Sequence, residues 1–426
     1  MKTKIFLFVS VIIFSLVSAH QLKSQTWTPL TSGTTASLTG VSAPSSTVCY
    51  ASGVSGTILK TINGGTSWTP QTSGTSQSFY SIVFTDLNKG YAVGDNGTAV
   101  KTINGGTTWT PMTTGVGASV GFRCVYFFDD TTGYITGGPT GAPGVILKTT
   151  DAGNTWTSLT TSGASTASIY SIYFTSATNG YANDYNGNII KTINGGASWT
   201  SFSSGSSNTL NGTIYFTSAT TGFVSGMNGV LLKTSNSGSS WSALSSGTTT
   251  DDLLGMNFYD ANNGYIVGGD VGANTGKMLV TADGGTTWSP VTLNSGTPRL
   301  YRIDFVDQNT GYVVGLNGAI LKYTACPELT IGISKNDSPT NNNSYNFFLV
   351  YPNPFNTSTI INLSNHHFEG EASIELFDIS GKLMRKNANI NKDKFMLERN
   401  MLPSGFYIFK IYDSKRIVGG GKVLIQ

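Results

Sequence analysis

Between residues 25 and 325 the thirteen carboxylates are all aspartates. No glutamate occurs before Glu328, and the chain's histidines are His20, His366 and His367. A serine–histidine–aspartate relay therefore has no histidine in this stretch, and a zinc site lacks both histidine and paired cysteine. Asp129-Asp130 and Asp251-Asp252 are the visible pairs for two-carboxylate hydrolysis. Adjacent residues of a strand point to opposite faces, so each reads instead as a solvated loop pair. Asp184-Tyr185-Asn186-Gly187 starts like a calcium loop but lacks its length and closing acid, so it reads as a turn, and His366-His367 as a solvated loop. No catalytic residue, metal site or cofactor is expected. Binding chemistry remains: Tyr80, Arg123, Tyr170, Tyr301 and Arg302 offer aromatic faces and planar cations that stack on and hydrogen-bond a glycan or a peptide. The competing reading is that the tyrosines only pack between repeats.

These residues must be positioned by a repeat. Trp27, Trp68, Trp109, Trp156, Trp199, Trp241 and Trp288 are all of the chain's tryptophans, spaced by 41, 41, 47, 43, 42 and 47 residues. A second landmark is aromatic (Tyr50, Tyr91, Tyr134, Tyr181, Phe223, Tyr265, Tyr312) and a third is usually lysine (Lys60, Lys101, Lys148, Lys191, Lys233, Val280, Lys322). Such periods indicate a repeat architecture. In the second unit, FYSIVF (79–84), GYAVG (90–94), 98–102 and 107–112 read as four short strands between Asn-Gly and Gly-Gly turns. Four antiparallel strands per unit make one blade of a β-propeller, and seven units make seven blades over residues 25–325. The last unit lacks a Trp strand and the first Trp strand lacks predecessors. The N-terminal strand is therefore expected to complete the last blade and hide its edge. Each Trp is expected to pack between blades and use its N–H locally. The lysines read as edge-strand solubility devices.

The strand order implies two rims. One carries the Asx-Gly-Gly turns, whose Asx side chains accept backbone N–H groups. The other carries the turns after each aromatic landmark and the segments after each Trp strand. The two longer units place their extra residues on this second rim, at 137–145 and 268–277. Loops of variable length on a constant scaffold are where binding resides, and the five candidate residues lie near them in the repeat.

The turns Thr-x-Asn-Gly-Gly-x-x-Trp at 61–68, 102–109 and 192–199 resemble a degenerate Asp-box (bacterial neuraminidase repeat). The whole unit, with Gly-Tyr-x-x-Gly-x-x-Gly-x-x-x-Lys-Thr before that turn, resembles the propellers of photosystem II stability and assembly factors over about Trp27–Ala325. That resemblance implies arginine-rich surface features, whereas this propeller has only Arg123, Arg299 and Arg302. Asp-box propellers include sialidases, whose chemistry implies an arginine cluster, a tyrosine nucleophile, a glutamate partner and an aspartate acid/base. The missing glutamate argues against that activity, and a non-enzymatic binding or scaffold module is expected. The alternatives are a glycoside-processing enzyme and an envelope assembly factor.

At the N-terminus, Lys2 and Lys4, an apolar run over 5–17 and small residues at 17–19 read as a secretory signal peptide, 1–19, removed in the mature protein. The competing reading, a membrane anchor, needs a longer run, and no later stretch spans a membrane. Charge is sparse, 11% of residues, and nearly balanced at +3, which excludes nucleic-acid binding by phosphate neutralisation. Cys49 and Cys124 read as buried free thiols, and with Cys326 at least one cysteine is unpaired. Residues 326–346 read as a linker. From 347 to 426 seven short strands suggest a β-sandwich. Tyr351-Pro352-Asn353-Pro354-Phe355, the run through Gly381, Leu402-Pro403-Ser404-Gly405-Phe406-Tyr407 and the terminal Lys422–Gln426 closely resemble the type A sorting domain of the type IX secretion system. Asn353, Pro354, Gly381, Pro403, Gly405 and Tyr407 carry the motif. The resemblance implies a Bacteroidota-like source, export through the outer membrane, sortase processing, and display on the cell surface or release. The expected class is all-β: a seven-bladed propeller followed by a small C-terminal sandwich.

Overall fold

The computed structural model describes residues 25–139, 141–161, 163–325 and 346–425, the last without 352, 354, 364–367, 369, 380, 391, 392 and 415. The expected leader, nearly all of the linker, Cys326, Pro354 and the His366-His367 pair lie outside these residues. The chain divides into two compact units, Met1–Thr330 and Ile331–Gln426.

Seven four-stranded sheets make up the first unit. Blades 1 to 6 begin with the inner strands Leu38–Ser42, Phe79–Phe84, Gly121–Phe127, Ile169–Phe174, Ile214–Phe216 and Asp252–Phe258. Blade 7 joins Leu300–Asp307, Thr310–Gly315 and Ile320–Ala325 to the N-terminal strand Gln25–Leu30. That strand pairs antiparallel with Ile320–Ala325, from Gln25↔Ala325 to Leu30↔Ile320. Each inner strand touches the next, and the last touches the first, so the ring closes as the tryptophan arithmetic requires. The fourth strand of blade 2 is shorter than expected. In blade 2 the strand is Thr110–Pro111, with Trp109 at the end of the turn before it.

Blade-to-blade packing is aromatic. Phe84 stacks on Tyr50 of the preceding blade at 3.7 Å between ring centroids, and Trp109 meets Phe84 edge-on at 5.9 Å. Phe174 repeats this with Tyr134 and Trp199, at 4.1 and 6.2 Å. All seven indole N–H groups are buried without a hydrogen-bond partner. The expected local N–H bonds are absent, because edge-on aromatic packing surrounds the indoles with ring carbons rather than acceptors.

The lysines are not edge-strand devices. They lie on third strands and staple each blade to the next. Lys60 Nζ and Tyr50 Oη both donate to the Gly105 carbonyl of blade 2, at 2.6 and 2.8 Å. Lys191 and Tyr181 donate to the Ser237 carbonyl at 2.7 and 3.0 Å, and Lys322 of blade 7 reaches Gly64 of blade 1 at 2.7 Å. The exception, Val280, now has a reason. Its neighbour, blade 7, takes its fourth strand from the N-terminus and has no covalent turn whose carbonyl a lysine could meet. Val280 packs there with Tyr265, Tyr323 and Trp27. Lys191→Met should therefore lower unfolding free energy in urea by about 1 kcal/mol, a typical net hydrogen-bond value, while Val280→Lys should bring no gain.

The Asx turns behave as read. Asn63 Oδ1 accepts the Ser67 N–H at 3.0 Å and Thr61 Oγ1 accepts that of Gly65 at 2.9 Å. In the Asp151 version, Thr155 and Thr149 donate to the carboxylate and hold its pKa down at about 2. Cys49 is buried and unpaired, whereas Cys124, also unpaired, is only partly buried.

The second unit is a sandwich of a five-stranded and a three-stranded sheet. Its final strand, Arg416–Ile425, is longer than expected because it pairs as a hairpin with Gly405–Asp413. The motif residues hold this fold. Asn353 accepts from Leu424 N at 2.8 Å and donates to the Lys422 carbonyl at 3.1 Å. Gly381 occupies a turn at φ +84°. Gly405 begins its strand, and buried Tyr407 donates to the Pro403 carbonyl at 2.9 Å.

Candidate functional site

Six inner strands carry the same irregularity. In blade 2 the register passes from Phe79↔Gly94 to Ser81↔Val93, leaving Tyr80 unpaired. The corresponding skipped residues are Thr39, Arg123, Tyr170, Leu254 and Tyr301. A bulge of this kind re-aims one side chain. Four of the five residues expected to bind, Tyr80, Arg123, Tyr170 and Tyr301, are bulge residues. Glycine opposite makes room: a Cβ on Gly94 would lie 1.8 Å from the Ser78 carbonyl oxygen.

The bulges sit at the rim that carries the two long loops. Gly97, in the turn after the second strand of blade 2, donates to the Val120 carbonyl in the segment entering blade 3. Here the Arg123 guanidinium carbon lies 4.4 Å from the Tyr80 ring centroid and 5.6 Å from that of Tyr170. Asp95 joins them, accepting the Tyr80 hydroxyl at 3.0 Å and lying 3.9 Å from Arg123. Tyr185 continues the aromatic surface 5.9 Å from Tyr170. Burial raises the Tyr80 and Tyr170 pKa values above the ordinary phenol range, so both rings are neutral.

A second group lies at blades 6 and 7. Arg299 binds Asp252 and lies 5.6 Å from the Tyr301 ring. Lys277, at the end of the second long loop, is 3.6 Å from Asp251. Asp252 is only 3% exposed, so the reading of Asp251-Asp252 as a solvated loop pair fails: both acids face cations from neighbouring segments. Asp129 does conform, accepting from the backbone of Thr131 and Thr132 in an exposed turn. Asp184 is buried, bonded to Ser165 and Asn188 and absorbed in its turn.

Arg302 follows the bulge at Tyr301 and donates from Nη1 to the Leu254 and Tyr301 carbonyls, at 3.0 Å each. Burial pulls its pKa below the usual arginine range. Three of the five residues thus form one cluster, Tyr301 lies in the second, and Arg302, next to Tyr301, is held by the backbone of blades 6 and 7. Below this level Tyr126, Tyr173 and Tyr215 touch in sequence, at 5.7 and 5.2 Å. Among the described residues no cluster of histidine, cysteine, aspartate or glutamate is fit to hold a metal. Asp95, Tyr185, Asp252 and Arg299 were missed as site residues. A weak signal existed for Arg299, one of three propeller arginines.

Residues 71–164 and 243–324 match the family described as photosynthesis system II assembly factor YCF48, and residues 349–426 match the secretion system C-terminal sorting domain. Among solved structures, YCF48 bound to a D1 peptide is 21% identical at a TM-score of 0.58, over 70% of this chain and 94% of that one. YCF48 from Cyanidioschyzon merolae is 21% identical at 0.57, over 70% and 98%. A GH74 xyloglucanase from Xanthomonas campestris is 13% identical at 0.53, over 70% and 53%. At these identities the likeness is one of fold. No curated protein matches the chain. Two stretches of the repeats thus match the assembly-factor propeller model, and the sorting domain marks a secreted or cell-surface protein. Among the described residues no helix is long and apolar enough to cross a membrane.

Proposed function

We propose that this exported propeller binds, without catalysis, an extended peptide segment of a partner protein across the rim formed by Tyr80, Arg123 and Tyr170. The observation that carries the reading is the placement of Arg123 between two tyrosine rings, all three aimed by bulges. Aromatic and arginine side chains in such clusters supply most of the energy of protein–protein contacts. A neighbouring propeller, YCF48, is described as bound to a peptide. Residues 25–325 hold no glutamate or histidine to act as acid or base, which favours binding over glycoside processing. The sorting domain would hand the chain to the type IX machinery and its sortase, so the partner is sought outside the cell rather than in envelope assembly.

The full-length chain should retain particular peptides on a peptide array, and Tyr80→Ala with Arg123→Ala should weaken that retention by about tenfold or more. Selective retention on a glycan array with no peptide retained would replace the peptide by a polysaccharide. Turnover of any member of a glycoside panel would overturn the non-catalytic reading.

A further inference from the structure

The outer strand of each blade is the last strand of its sheet among the described residues. A last strand offers unpaired N–H and C=O groups to any other extended chain. In this ring proline is the device that blunts it. Pro29, Pro70, Pro111 and Pro290 stand at one register position, opposite Leu321, Leu59, Val100 and Leu279 of the third strands. In three of these blades the residue after the proline visibly donates inward. Gln71 donates to the Ile58 carbonyl and Met112 to that of Ala99, both at 2.8 Å, and Val291 to that of Met278 at 2.9 Å. Successive N–H groups of an antiparallel strand alternate in direction, so an N–H at the proline position would point away from the sheet. Proline removes that outward donor and leaves the ladder intact.

Blades 3, 4 and 5 lack the proline. Ser158, Ser201 and Ala243 take its place, opposite Leu147, Ile190 and Leu232, and all three are exposed. No charge replaces it, since 156–163, 199–208 and 241–250 contain no charged residue. The three unguarded blades are neighbours, and the edge lengthens among them. The fourth strand has two residues in blades 1, 2, 5 and 6, three in blade 3 and four in blade 4, Thr200–Ser203. Alternation turns the N–H and C=O of both Ser201 and Ser203 outward, a template for ladder hydrogen bonds. Blade 4 also carries Tyr170 and Tyr185. Its inner and outer strands are three steps of about 4.8 Å apart, about 14 Å, which about four extended residues cross.

We infer that the outer edge of blade 4 takes an extended segment of the bound partner as a fifth strand, paired through Ser201 and Ser203. The inference rests on the peptide-binding reading above, to which it adds a subsite that reads backbone outside the rim cluster. The edge itself fixes the occupant as polypeptide, because an extended main chain repeats donors and acceptors at strand spacing. In strand addition the main chain supplies affinity and side-chain pockets supply specificity. A free segment can run on inward to Tyr170, whereas a second copy of this chain offers only an edge built into its own blade.

The test uses full-length protein labelled with ¹⁵N at serine and, as probe, the strand-forming peptide acetyl-Thr-Val-Thr-Val-Thr-amide. The Ser201 and Ser203 amide resonances should shift saturably with it. The same peptide N-methylated at its three central residues cannot pair and should leave them unmoved. Ser201→Pro should weaken binding of the unmodified peptide by about tenfold or more, through loss of one donor and through the ring standing in the partner's path. The fold accommodates this change, because four sister blades hold proline at that register position, and the N-methylated probe tests the native chain in any case. No saturation by the unmodified peptide, or equal shifts from both peptides, would overturn the inference and leave the rim reading to the array. Shifts at Ser201 and Ser203 that follow protein concentration alone would overturn it in favour of a second copy. Array peptides lost by Ser201→Pro but kept by Tyr80→Ala with Arg123→Ala would support the edge and sink the rim cluster.

Discussion

Trp27→Ala should lower unfolding free energy by about 3–5 kcal/mol, the range for removing a large aromatic from a packed site, and by more than Trp156→Ala. Trp27 meets three aromatic rings, Tyr265 at 5.4 Å, Phe305 at 5.9 Å and Tyr323 at 5.3 Å. Trp156 meets Phe127 at 6.3 Å. Each such contact contributes about 0.5–1.5 kcal/mol beyond burial of area. Covalent geometry widens the difference. The other tryptophans follow short turns that tie their strands to the same blade, whereas Gln25–Leu30 is held to Ile320–Ala325 by pairing alone. Loss of the Trp27 anchor should let that strand detach and leave an open sheet edge. Hydrogen exchange reads this locally. The amides of 320–325 should lose protection in Trp27→Ala and keep it in Trp156→Ala. Equal destabilisation by the two substitutions, with protection retained at 320–325, would show that blade 7 does not depend on its borrowed strand.

Ring closure was legible because it is a matter of counting: seven tryptophan strands and seven aromatic landmarks are offset by one strand. The bulges were not. A single extra residue in a strand changes neither its length class nor its hydrophobic pattern enough to be noticed, yet it turns Tyr80, Arg123 and Tyr170 toward one another. Their clustering therefore depends on a feature visible only in the register. The lysine staples were hidden for another reason. Lys60 bonds a carbonyl in the following repeat, and a backbone carbonyl leaves no mark in a sequence. Within one unit the lysine has no visible partner and reads as a solubility device. Asp252 failed on the rule that neighbours on a strand diverge. They do diverge, but blade 7 supplies Arg299 on one side and the long loop supplies Lys277 on the other.

The second large effect is a dependence of stability on pH that belongs to Asp304. This carboxyl bridges three blades, accepting from Ala43 of blade 1, lying near Asn257 of blade 6 and standing on the inner strand of blade 7. Burial raises its pKa from 3.8 to about 7, outweighing the backbone donors that favour the anion. Between about pH 4 and 7 the unfolded chain has released this proton and the folded chain keeps it. The folded state then binds more protons, so stability falls as pH rises, by about 1.4 kcal/mol per unit. The stabilisation is full below the unfolded pKa, declines across the window by about 4 kcal/mol and levels off above pH 7. Asp151 has the opposite sign in a different window. Its depressed pKa favours the fold above pH 4, and that contribution is lost as pH falls toward about 2. Residues 25–325 contain no histidine, so no propeller imidazole titrates between pH 5 and 7. Asp304→Asn keeps an oxygen for the Ala43 N–H and carries no charge. In urea unfolding it should flatten the profile between pH 5 and 7 and stand above the native chain at pH 8. Equal slopes for the two proteins across that window would mean that Asp304 is ionised in the folded ring, its backbone donors outweighing its burial.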